Sequence, residues 1–82
     1  MPRSVHSPQY REFLKRLRAG RIAAGLMQTD VARRLGKPQS YVSKCESGER
    51  RVDVVELMAF ATVYGCPITS FMPSKRKPRI RA

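Results

Sequence analysis

Apolar residues recur along this chain at helical spacing, and nowhere in the strict alternation of a half-buried strand. Tyr10, Phe13, Leu14 and Leu17 mark one face of a first helix, from Pro8 to about Ala24. Ser7 reads as its N-cap, Pro8 as the first helical residue, and Gly25 as its end. Val31, Ala32 and Leu35 line one side of a second helix, Gln28 to Leu35, with Thr29, Asp30, Arg33 and Arg34 opposite. Gly36 fits a left-handed cap, and Lys37-Pro38 makes a tight joint to a third helix, Gln39 to Ser47, closed by Gly48. Asp53 and Glu56 have capping-box spacing and open a fourth helix that ends near Tyr64, before Gly65. Pro67 to Met72 reads as a fifth, short helical turn. The pattern predicts an all-α fold: a compact five-helix bundle over residues 7–72, a loose arm over 1–6 and a disordered basic tail over 73–82.

Two helices carry more than core pattern. On a wheel at about 100° per residue, Gln39, Ser40, Ser43, Lys44 and Ser47 share one side of the third helix, within about 140°. Tyr41, Val42, Cys45 and Glu46 share the other, which is mostly apolar. A face of Gln, Ser and Lys is ordinarily a solvated one, but it can also donate and accept at base edges in a DNA major groove. In the fourth helix, Val54, Leu57, Met58, Ala61 and Tyr64 are the expected core side. Val55, Ala59, Thr62 and Val63 lie opposite, with little charge to solvate them. A helix apolar nearly all round is covered on both sides. The expected cover is a second copy, through Val55, Ala59, Val63, Phe71 and Met72; the rival is the chain's own arm or tail.

Charge narrows the partner. Seventeen Lys and Arg against six acids give +11 over 82 residues, an imbalance that suits a polyanion, nucleic acid first and membrane surface second. Lys75, Arg76, Lys77, Arg79 and Arg81 concentrate part of it near the end. Two distant cysteines and one histidine make neither a disulfide framework nor a metal site, so no cofactor is expected. Met1 to Pro8 has no apolar run, and no stretch is long enough to span a bilayer; the expected location is the cytoplasm, with Cys45 and Cys66 as core-filling thiols. No catalytic triad, phosphate loop or carboxylate pair is present, and enzyme is rejected.

Two short helices joined by a glycine-containing turn in a basic chain are the context for that polar face. The stretch Gly25-Leu26-Met27-Gln28, Val31-Ala32-Arg33-Arg34-Leu35-Gly36, Gln39-Ser40-Tyr41-Val42-Ser43-Lys44, Glu46-Ser47-Gly48-Glu49-Arg50 resembles the Cro/repressor-like, or XRE, helix-turn-helix family. The likeness runs from about Leu14 to Met72 and implies a lambda-repressor-like DNA-binding domain. It implies that Gln28 clamps a phosphate and Gln39 reads a base, with Ser40, Ser43 and Lys44 at bases or nearby phosphates. Ser47, Arg50 and Arg51 match backbone-contacting positions, and Arg21 and Glu46 match a structural ion pair. Tyr41 stands on the border: it either packs or reaches a phosphate through its hydroxyl. Two residues depart from the family pattern. Met27 stands where a capping Thr or Ser is usual, and Cys45 where a larger apolar side chain is usual.

The resulting expectation is a sequence-specific transcriptional repressor, inserting Gln39 to Ser47 in the major groove of a two-fold operator on double-stranded DNA as a homodimer. The alternatives are the antitoxin of a toxin–antitoxin pair, with a toxin as protein partner, and a restriction-system controller; both share the fold, and neighbouring genes separate them. A membrane or RNA binder using only the tail leaves the helical motif unexplained.

Overall fold

A computed structural model describes residues 6–73. The first helix, α1 (Pro8–Ala23), starts at Ser7, whose hydroxyl accepts the Tyr10 N–H at 3.0 Å, with Pro8 where a missing N–H costs nothing. It buries Phe13 and Leu17, with Tyr10 and Leu14 packed beside them. Helix α2 (Gln28–Leu35) buries Val31 and Ala32 and ends on Gly36, at φ +69°. Helix α3 (Gln39–Ser47) buries Val42 and Cys45 and ends on Gly48. Helix α4 (Val54–Tyr64) has a reciprocal cap: Asp53 accepts the Glu56 N–H at 2.8 Å, and Glu56 accepts the Asp53 N–H at 3.0 Å.

Met27 offers α2 no side-chain cap, as its thioether predicts. Asp30 supplies the other half of a box by accepting the Met27 N–H at 2.8 Å, and that bond holds its carboxyl below the usual range.

Among the described residues, the five-helix expectation is corrected to four α-helices and one 3-10 turn, Ile68–Phe71. Only four residues lie in that turn, after Pro67 and shortly before Pro73, too short a span for α-helical bonding to become established. It closes with 3-10-type bonds, Ser70 N–H to Pro67 and Met72 N–H to Thr69. Its purpose in packing is Phe71, which is fully buried. Gly20 makes room for it inside α1: a Cβ there would lie 3.0 Å from the Phe71 ring and 3.3 Å from Tyr64.

The core side of α4 is also corrected. Leu57, Phe60, Ala61 and Tyr64 are buried, while Val54 and Met58, expected inside, are 64 % and 56 % exposed. Phe71 belongs to the chain's own core and cannot serve an interface, whereas Val55, Ala59 and Met72 are exposed and Val63 is half-buried.

The tail lies outside the described residues apart from Pro73, and the arm apart from His6. His6 is not loose: its Nε2 bonds the Gly48 carbonyl oxygen at 2.8 Å, and its ring lies 4.9 Å from Tyr10.

Candidate nucleic-acid interface

Packing of α2 on α3 brings the two glutamines of the motif together. Gln39 donates through Nε2 to Gln28 Oε1 at 2.7 Å, and Gln28 donates through Nε2 to Glu46 Oε1 at 3.0 Å. Glu46 also accepts from Arg21, Nε to Oε2 at 2.6 Å and Nη2 to Oε1 at 3.1 Å. Arg21 further donates to the Leu26 carbonyl at 3.0 Å, and its guanidinium is held more firmly protonated than usual, chiefly by Glu46. The expected ion pair is therefore present and largely withdrawn from water, its side chains 12 % and 5 % exposed.

This row has one direction. An ionised carboxylate only accepts hydrogen bonds, so Gln28 must turn its NH2 toward Glu46 and its carbonyl toward Gln39. Gln39 must then donate, which leaves its own carbonyl and a second N–H for whatever approaches α3.

Around the glutamines, Ser40, Lys44 and Ser47 are exposed and Ser43 is half-buried. The Ser47 hydroxyl donates to Lys44 O at 3.2 Å and accepts from Glu49 N–H at 3.3 Å, so it fastens the helix end. At the other end, Gln28 is the first residue of α2, and a helix N-terminus suits a phosphate.

A second cluster gathers around Tyr41. Its ring lies parallel to Phe60 at 6.3 Å, with Arg50 at 4.9 Å and Lys37 at 5.2 Å. Loss of water raises its hydroxyl to about 12. Arg50 is forked onto Glu56, Nη1 to Oε1 at 3.0 Å and Nη2 to Oε2 at 2.7 Å. That fork, with the Asp53 N–H second, lowers the Glu56 carboxyl to about 2. Arg51 lies apart, its guanidinium 4.5 Å from the centre of the Tyr10 ring. Cys45 is fully buried, and burial pushes its thiol up.

Sequence reasoning missed three participants. Glu56 was visible only as a cap, Lys37 only as part of a joint, and Tyr10 only as core. Tyr10 also accepts the Val52 N–H at 3.1 Å and so holds the far end of the loop that carries both arginines. Among the described residues, no group of three or more His, Cys, Asp or Glu side chains could hold a metal, and no helix is long and apolar enough to cross a membrane.

The comparisons with known proteins agree with this geometry. A family model described as a helix-turn-helix domain matches residues 9–69. A solved structure, an XRE-family like protein from Pseudomonas syringae pv. tomato str. DC3000, is 44 % identical over 77 % of each chain, with a TM-score of 0.73. The chain belongs to the XRE-type helix-turn-helix family. XRE-type domains are non-catalytic DNA-binding modules of transcription regulation, and that is the role of this chain in general terms. Among curated proteins nothing matches this XRE-type chain.

Proposed function

We propose that this XRE-type domain is a sequence-specific repressor that docks α3 in the major groove, two copies on a two-fold operator. The observation that carries the reading is the exposed Gln39 amide, whose polarity is set through Gln28 by a buried ion pair. The carbonyl and N–H left on Gln39 match the N6 donor and N7 acceptor of adenine, a pairing that discriminates by about 1–3 kcal/mol. Ser40, Ser43 and Lys44 extend the same face, Gln28 and Ser47 stand at its ends for phosphates, and Arg51 is assigned to a phosphate from the loop beyond. Those phosphate contacts position the domain and carry no sequence information themselves.

Pairing uses the exposed side of α4. Val54, Val55, Met58 and Ala59 are uncharged and open to water in a chain of net charge +11. Two copies meeting there join their least charged surfaces and leave the cationic ones to DNA.

The test begins with selection of bound sites from random DNA, followed by salt titrations on a selected site and a scrambled duplex. Selected half-sites should contain an adenine whose replacement matters only while Gln39 is present. Gln39→Ala should shrink the gap between the two duplexes and leave the slope of log affinity against log salt nearly intact. Equal weakening on both duplexes would remove α3 as the reader.

A further inference from the structure

Arg50 is engaged on three sides before any DNA arrives. Its two terminal nitrogens hold both oxygens of Glu56, Nη1 also donates to the Arg51 carbonyl at 3.0 Å, and its plane lies by the Tyr41 ring. Tyr41 belongs to α3, so this guanidinium sits beside the helix proposed to enter the groove. The Glu56 carboxylate cannot easily swing aside, because the same Oε1 accepts the Asp53 N–H that starts α4. A carboxylate and a phosphate offer arginine the same two-oxygen fork.

We propose that Glu56 is an intramolecular substitute for a DNA phosphate, which occupies Arg50 and withholds it from duplex of arbitrary sequence. The proposal rests on the reading that α3 faces DNA. Glu56 acts twice: it fills the guanidinium edge that a phosphate needs, and its charge repels a phosphate that comes near. Of the other acids in ion pairs, Glu12 and Asp30 are held by arginines of their own helices, and Glu46 lies largely withdrawn from water. Glu56 instead takes its arginine from the neighbouring loop, one of the two expected to grip phosphate. The result is weaker general attraction to DNA in a chain whose charge would otherwise hold it to any sequence.

The measurement is a salt titration on a duplex of random sequence, about 20 base pairs long, with four chains: unsubstituted, Glu56→Gln, Arg50→Ala and the double variant. Glutamine keeps a carbonyl to accept the Asp53 N–H, so α4 retains its start. Glu56→Gln should steepen the slope by about 0.9 and tighten binding about eight-fold at about 0.1 M salt, the contribution of one added phosphate contact. Arg50→Ala should leave the slope unchanged when Glu56 is present and abolish the gain when Gln replaces it. A purely structural Glu56 predicts weaker binding, and that result, or an unchanged slope, overturns the proposal. Should Glu56→Gln not fold, Arg50→Ala alone decides: a slope flattened by about 0.9 means that Arg50 already grips phosphate. If base selection by Gln39 persists while Glu56→Gln brings no gain, this proposal alone fails. If selection by Gln39 is itself absent, the docking of α3 fails with it.

Discussion

Arg21 donates in three directions, to both oxygens of Glu46 and to the Leu26 carbonyl, and so joins the end of α1 to α3 and to the turn before α2. Removing it leaves the Glu46 charge nearly out of contact with water. Arg21→Ala should therefore cost about 3–5 kcal/mol in urea unfolding. Small domains have about 5–15 kcal/mol in all, so much of the chain should be unfolded at modest denaturant. A variant as stable as the original would mean that the pair is not buried in solution. This pair was legible in the sequence through family resemblance. The meeting of Gln28 with Gln39 was not, because wheels place residues within one helix and say nothing of two helices. The Arg50–Glu56 fork was hidden for the same reason: the capping spacing of Asp53 and Glu56 already gave the acid a sufficient local explanation.

At the scale of elements, the boundaries of α2 and α3 were legible because Gly36, Pro38 and Gly48 punctuate the chain where helices must stop. The rotation of α4 was legible in part: Leu57, Ala61 and Tyr64 were expected inside and are buried, whereas Val54 and Met58 are not. Val54, Met58 and Phe60 are all apolar, so periodicity cannot choose among faces, and packing against Tyr41 and Tyr64 decides for Phe60. Phe71 likewise follows a proline-bounded turn with no period to read. Its pocket did leave one trace in the sequence, a glycine within α1. Gly20→Ala would gain about 1 kcal/mol of helix propensity. Against that, the new methyl presses on the rings of Phe71 and Tyr64, an overpacking that costs about 1–3 kcal/mol. The expected net is a loss of about 1 kcal/mol in denaturant unfolding. A gain would show that the 3-10 turn can retreat freely.

For the whole molecule, the uncharged side of α4 is the surface proposed to pair two copies. Val55 and Met58 are 70 % and 56 % exposed, so an aspartate at either position should leave the fold nearly unchanged. Met58→Asp should convert dimers to monomers in light scattering, halve the footprint on a selected site and keep the helical circular dichroism. Dimers that persist would place the interface elsewhere.

The chain of donations from Gln39 through Gln28 to Glu46 also bears on how such a domain can change its target over generations. Glutamate at position 39 would set a carboxylate against the Gln28 carbonyl, two acceptors with no proton between them. Lysine or arginine could donate to Gln28 and still donate to the O6 and N7 acceptors of guanine in place of adenine. A descendant that keeps Gln28 therefore inherits a donor requirement at position 39, imposed by an acid that need never touch DNA. Changes that keep a donor at position 39 should therefore come in single steps, and changes to an acceptor-only side chain there should come together with a change at position 28.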